Sequence, residues 1–420
     1  MTSHQVQFLF ADLALILLLA RGLGQLAIRL RQPPVVGEIF AGILLGPTLL
    51  DGAIAHHLFP TDVRPLLSGM ANLGVALFMF CVGLEINTDS LRGRGRVTAI
   101  SALGSTAVPF VLGVGLALGL PQGRHSEHHV AFVIFIGLTV SVTAFPVLAR
   151  ILADRLLART TLGSIALATA AVVDLVAWTA LAIVQASVTD EGHHWTVTLI
   201  LPYGLLMALV VRPLLRRVLT PAGQPAPMTA HRFAIVLTGA LLSATATEAI
   251  GMHFIFGAFV FGLAMPRRGA QEQLTDVLDQ TTRLTSLLLP VYFVMAGLQV
   301  DLGGIDAAQV LQLGAILVVA VVGKFGGTYL AARTQGLAAR PAAALGALMN
   351  TRGLTELVIL GVGLQLGLLD GPLYSLLVVM AVVTTAMTGP LLTRIYAKPV
   401  EVPLPPQTRS SEPAASSRSR

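Results

Sequence analysis

Charge, lysine and cysteine are what this sequence has least of. Only 11% of its 420 residues are Asp, Glu, Lys or Arg and 55% are hydrophobic, where an ordinary soluble domain carries about 25% charge. That poverty excludes a water-soluble globule. Cys81 is the sole cysteine and lies inside an apolar run, which excludes an intrachain disulfide and a thiolate metal site. Lysine occurs twice against a large excess of Arg, a pattern of genome bias. No Walker motif, Gly-rich phosphate loop, Ser-His-Asp set or HExxH is present, so an ATP-driven pump and an intramembrane protease lack support, and neither an enzyme nor a cofactor is expected. The first apolar run lacks the basic flank and small-residue cleavage site of a secretory signal. The net charge of +6 raises nucleic acid as a partner, but the Arg residues sit between apolar runs, where a membrane accounts for them.

Long apolar runs are what is there. They read as thirteen spans at about 7–28, 33–50, 68–88, 97–120, 129–153, 161–187, 196–219, 231–250, 252–265, 281–301, 309–333, 341–366 and 373–397. Each approaches the roughly 20 residues a helix needs to cross a bilayer. The strength of each run favours helices over the alternating strands of an outer-membrane barrel. Alternate loops hold Arg29 and Arg31; Arg92, Arg94 and Arg96; Arg155 and Arg159; Arg212, Arg216, Arg217 and Arg232; Arg267, Arg268 and Arg283; and Arg333 and Arg340. The loops between them hold only Arg64 and Arg124. Positive charge stays inside, so a multi-pass protein of the cell (inner) membrane is expected, with its N-terminus outside and its C-terminus in the cytoplasm. The polar stretch 398–420 is expected to be a disordered cytoplasmic tail.

Two spans are interrupted. One reads Ser141-Val142-Thr143-Ala144-Phe145-Pro146 and the other Met349-Asn350-Thr351-Arg352-Gly353-Leu354-Thr355. Pro146 lacks an amide donor and disfavours helix at the residue before it. The interrupted spans are seven apart and so cross in opposite directions. The transmembrane region 1–397 then divides into a first repeat at about 7–187, a linker helix at about 196–219 and a second repeat at about 231–397. That is the pattern of an inverted repeat with discontinuous helices meeting near the midplane.

Ionisable groups deep in a span are costly and mark function. Asp174 stands alone between Val173 and Leu175, and Lys324 lies in Val322-Gly323-Lys324-Phe325-Gly326. A carboxyl group there holds a proton when dry and releases it beside a cation, so proton and metal ion can compete for it. Lys324 is a salt-bridge partner, a proton carrier or a compensator of half-helix dipoles. Arg352 occupies a break, where its donors can serve freed carbonyls. Thr143 and Asn350 offer neutral oxygens at the two breaks. Glu38, Glu85 and Glu356 brace helices, line an aqueous funnel or touch substrate. Arg150 is a further deep charge, and Glu248 reads as solvated. On this topology nine of the ten histidines face outside and only His231 faces inside, as solvated loop residues, a pH sensor or a loose metal patch.

The strings Gln32-Pro33-Pro34-Val35-Val36-Gly37-Glu38-Ile39 and Gly42-Ile43-Leu44-Leu45-Gly46-Pro47 resemble the opening of the cation:proton antiporter-2 family, and Phe80-Cys81-Val82-Gly83-Leu84-Glu85 resembles one of its later signatures. Ser141-Val142-Thr143-Ala144-Phe145-Pro146-Val147-Leu148-Ala149-Arg150 and Met349-Asn350-Thr351-Arg352-Gly353-Leu354-Thr355-Glu356-Leu357 resemble its later signatures. The likeness runs from about residue 10 to 397 and is nearest to the plant cation/H⁺ exchangers and the bacterial Na⁺(K⁺)/H⁺ antiporters of the NapA kind. It implies an all-α membrane fold of about thirteen helices with two crossed broken helices, a homodimer and elevator-like alternating access. It also implies Na⁺ or K⁺ and H⁺ as substrates, with Asp174 and Thr143 at the ion and Lys324 as the basic residue of the eleventh span. Val173 stands where family members place Asp, Asn or Gln. With one carboxylate, one proton exchanges for one cation and transport is electroneutral, unless Lys324 also carries a proton. The other readings are a channel or a non-transporting sensor, and a sodium-coupled organic-solute symporter.

Overall fold

The computed structural model describes residues 2–30, 32–48, 53–85, 95–124, 128–157, 160–188, 199–220, 228–250, 252–267 and 270–395. Every regular element among them is helical. The membrane-sized segments are α1 (Ser3–Arg29), α2 (Pro34–Leu45), α3 (Arg64–Glu85), α4 (Gly95–Gly119), the pair α5 (His129–Ser141) and α6 (Phe145–Asp154), and α7 (Thr161–Val188). Next comes α8, which runs from Ile200–Leu206 through a π-helical turn, Met207–Val211, into Arg212–Leu219. After it follow α9 (Ala230–Ala249), α10 (Phe254–Ala264), α11 (Gln271–Gly297), α12 (Ala307–Thr334), the pair α13 (Ala339–Met349) and α14 (Leu354–Gln365), and α15 (Gly371–Ile395). Short helices at Ala53–Leu58 and Pro121–Arg124 lie between them. Among the described residues, seven helical stretches are long and apolar enough to cross a membrane by length and composition.

Local chemistry sets the ends. α2 stops at Leu45, short of the expected 50, because Pro47 disfavours helix at Gly46. α11 begins ten residues before its apolar stretch, at Gln271 rather than 281, since polar helix formers such as Gln271, Glu272 and Gln273 extend a helix that hydropathy cannot see. The π turn in α8 ends just before Arg212-Pro213. Pro213 gives no N–H and crowds the carbonyl four residues back, and a wider turn relieves that.

The helices pack as two groups. α1, α2, α3, α9, α10 and α11 pack mainly on one another, and α4 to α7 with α12 to α15 form the second group. α8 lies on the first, where Tyr203 Oη is 2.7 Å from Ser243 Oγ of α9. Within the groups, glycines let backbones touch. A Cβ on Gly42 would come within 2.2 Å of the Val294 carbonyl, and one on Gly83 within 2.2 Å of the Phe259 carbonyl. A Cβ on Gly327 would come within 2.3 Å of the Gly104 carbonyl. Outward faces carry bare apolar side chains, Leu18 being 71%, Leu103 66% and Leu330 62% exposed, as lipid contact requires. A cavity of about 180 Å³ lies in the junction between the groups, lined by Asn72, His253, Tyr292, Gln299 and Gln365 among others.

Candidate ion site at the crossed breaks

α5 ends at Ser141, and Val142 turns to an extended conformation with φ −71° and ψ 150°. Pro146 is the second residue of α6, where a missing N–H breaks no helical bond. A helix end leaves its last four carbonyls without helical donors. Here all four are answered. Ser141 Oγ donates to Leu138 O at 2.8 Å and Arg352 Nη1 to Thr139 O at 2.7 Å. Arg352 Nη2 donates to Val140 O, and Lys324 Nζ donates to Ser141 O. Lys324 also donates to Ser105 O of α4 at 3.0 Å. The two buried cations thus stand at the negative end of the α5 dipole, where positive charge is favoured.

The second break crosses the first. Thr143 Oγ1 donates to Met349 O at 2.9 Å, and the Ala144 N–H donates to Thr351 O at 3.0 Å. Thr351 Oγ1 donates to Leu348 O at 2.7 Å. Arg352 Nη1 lies 2.8 Å from both carboxylate oxygens of Glu356, one turn on in α14, and both side chains are fully buried. Asn350 Nδ2 donates to Thr384 O at 3.5 Å, while its Oδ1 has no hydrogen-bond partner among the described residues.

Asp174 is fully buried on α7, and neither of its oxygens has a hydrogen-bond partner among the described residues. The Phe145 N–H at the head of α6 and the Lys324 ammonium act on it electrostatically without reaching hydrogen-bond geometry. A helix N-terminus favours an anion, which offsets part of the cost of burying the carboxylate while its lone pairs stay open. Trp178, one turn further, packs edge-on against Phe256 with ring centroids 6.0 Å apart. Among the described residues no cluster of His, Cys, Asp and Glu is assembled for a metal. A lone buried carboxylate with open lone pairs suits a proton or a weakly held hard cation.

Asp174, Thr143, Ser141, Pro146, Lys324, Asn350, Thr351, Arg352 and Glu356 therefore come together. The others do not. Glu38 is half-buried on α2, within electrostatic reach of Arg21 and Arg150, and Arg150 itself is exposed. Glu85 is exposed at the end of α3. Glu248 is exposed and accepts the Phe254 N–H at 2.7 Å, capping α10. His253 lines the junction cavity, whereas His125, His193 and His194 lie outside the described residues, as does the tail 398–420. Sequence reasoning missed Asp12, which is buried at 2% exposure on α1. It also missed Thr384, Thr385 and Thr388, which α15 presents to the second break. Their spacing on one helical face was the available signal.

Comparison with known proteins adds a family model, described as "Sodium/hydrogen exchanger, transmembrane", that matches residues 14–398. The chain is 37% identical to the Na⁺/H⁺ antiporter NhaS4 of Synechocystis over 95% of this chain and 100% of that one. It is 36% identical to cation/H⁺ antiporter 20 of Arabidopsis thaliana over 92% of this chain and 48% of the relative. It is 33% identical to K⁺/H⁺ antiporter 1 of Saccharomyces cerevisiae over 87% and 44%. The chain spans the whole of the cyanobacterial relative and about half the length of the plant and yeast ones. Its fold is similar to that of the sodium proton antiporter MjNhaP1 of Methanocaldococcus jannaschii, with a TM-score of 0.65, 14% identity and coverage of 94% of this chain and 97% of that one.

Proposed function

Because the chain belongs to the sodium/hydrogen exchanger family, we propose that it is a secondary antiporter exchanging Na⁺ or K⁺ for H⁺, with proton and cation competing for Asp174. The observation that carries this reading is a fully buried carboxylate whose two oxygens are both unpartnered. An isolated charge in so dry a place is costly, and either a proton or a metal cation relieves it. The Thr143 hydroxyl, whose proton is held by Met349 O, and Asn350 Oδ1 supply neutral lone pairs. The names of the cyanobacterial, plant and yeast relatives point the same way.

The cycle alternates access by moving one helix group against the other. The Arg-bearing loops support a cell-membrane topology with the N-terminus outside and the C-terminus in the cytoplasm. In this reading about 7–187 and 231–397 are the repeats, 196–219 links them, 398–420 is a tail and two copies form a dimer. Exchange is electroneutral. Lys324 donates to two backbone carbonyls, which supports a bracing role for it and leaves Asp174 as the proton carrier, so in this reading one proton leaves Asp174 for each cation that enters.

The test is cation-induced proton flux in proteoliposomes, compared across Na⁺, K⁺, Rb⁺ and Li⁺. Asp174→Asn keeps the size of the side chain and removes its charge, so it abolishes exchange while the protein stays folded. Wild-type flux in that variant would move the site elsewhere. An imposed membrane potential leaves the exchange rate unchanged; an acceleration that disappears in Lys324→Gln would assign a second proton to Lys324. Cysteines at Gly95 and Ser126 in a Cys81→Ala background react with an impermeant maleimide from opposite sides, and labelling from one side alone would sink the topology.

A further inference from the structure

α15 runs past the second break with Thr384, Thr385 and Thr388 turned towards it, and all three are buried. Inside a helix a threonine hydroxyl usually sends its proton to a carbonyl three or four residues back. Thr384 does so to Met380 O at 2.8 Å, and Thr388 to Thr384 O at 3.2 Å. Thr385 is different. Its Oγ1 donates across to Arg352 O at 2.7 Å and accepts the Arg352 N–H at 2.9 Å.

Arg352 is the residue whose peptide groups most need such a partner. α14 begins at Leu354, and its first backbone bond runs from Leu357 N–H to the Gly353 carbonyl. The amide and carbonyl of Arg352 therefore both precede the helix, in a fully buried place. Buried backbone groups must be paired, and a single hydroxyl, with one proton to give and lone pairs to accept, serves both. The side chain held by that main chain is the guanidinium that reaches Thr139 O, Val140 O and Glu356.

We propose that Thr385 is a positioning residue: a two-point clamp on the main chain of Arg352 that aims its guanidinium at the first break and so sets the geometry around Asp174. Thr385 touches no ion; it acts through Arg352. Two flanking contacts support the same register, the one from Asn350 to the Thr384 carbonyl and the approach of the Thr351 and Thr388 hydroxyls to 3.5 Å. The clamp deepens the antiporter reading and, for its transport consequence, rests on it.

The experiment compares Thr385→Val, which keeps the shape and loses both bonds, with Thr385→Ser, which keeps the hydroxyl. In proteoliposomes the valine variant raises the cation concentration for half-maximal exchange by about tenfold, the loss of roughly one to two hydrogen bonds' worth of alignment. Its maximal rate per folded protein falls less. The serine variant stays within about twofold of wild type. A valine variant with wild-type affinity, or a serine variant as impaired as valine, overturns the clamp. A valine variant that only lowers the folded fraction makes Thr385 a structural residue and overturns positioning. Hydrogen exchange of the 350–354 amides in detergent gives a readout independent of transport, faster in valine and unchanged in serine; unchanged exchange in both refutes the clamp. Absence of cation-driven flux in wild type would instead refute the antiporter reading and leave the exchange measurement to judge the clamp.

Discussion

The two breaks occupy equivalent places in the two halves of the chain, yet they are held by different chemistry. The carboxyl end of α5 is met by two full positive charges, Lys324 and Arg352. The carboxyl end of α13 is met by hydroxyls, those of Thr143 and Thr351. Two breaks with the same helix–gap–helix form are therefore polarised in charge. The negative end of one half-helix already carries fixed cations of the protein's own. The unpartnered negative group lies elsewhere, at Asp174 beside the head of α6, and in the proposed cycle that is where the mobile cation binds. The two breaks supply the crossing, and side chains decide which end of it is left without fixed positive charge.

The largest effect falls on the charged break. Arg352→Met strips the partner from Glu356 in a fully buried place, and removing one member of a buried pair costs about 3–5 kcal/mol. Unfolding in detergent reads this loss, and Arg352→Met with Glu356→Gln recovers part of it. Equal stability of the single variant and wild type would dissolve the contrast between the breaks. Lys324→Met comes next, since it frees the carbonyls of Ser105 and Ser141; hydrogen bonds from charged donors contribute about 1.5–3 kcal/mol. A stability change no larger than that of a neutral hydroxyl would show that charge is not what holds α5.

The hydroxyl-held break gives less. Thr143→Val removes the bond to Met349 O and lowers stability by about 1 kcal/mol, with weaker cation affinity in flux assays and recovery in Thr143→Ser. A loss as large as that of Arg352→Met would erase the ranking. The smallest effect is at Glu85, exposed at the end of α3 and away from the breaks. Glu85→Gln changes stability by less than about 0.5 kcal/mol and leaves flux at the wild-type level, and a strong transport defect there would enlarge the site.

Much of this was legible in the sequence. Pro146 and Gly353 interrupt apolar runs, and Asp174, Lys324 and Arg352 are charges amid Val, Ala and Gly; each stands out against its neighbours. The pairings were harder to see. Arg352 meets carbonyls more than 200 positions away, and backbone oxygens leave no mark in a sequence. Thr385 looks like any threonine in a helix until its proton is found to cross to Arg352. Asp12 escaped notice because it lies near the start of the chain, although it shares a helical face with the buried Ile16 and Ala20.

The glycine contacts have a mechanical consequence. Wherever an added Cβ would come closer than 3 Å to a neighbour, that neighbour belongs to the same helix group, as at Gly42 with α11, Gly83 with α10 and Gly327 with α4. Across the junction, among the described residues, the glycine contact is Gly361 with Tyr292 Oη at an ordinary 3.5 Å. Backbones locked at such range resist shear, because sliding one past the other drives carbonyls into Cα atoms. Each group is thus keyed internally like a toothed block, and the seam between the blocks is smooth. Force applied to the molecule would be relieved along that seam first, which makes it the natural plane of slip.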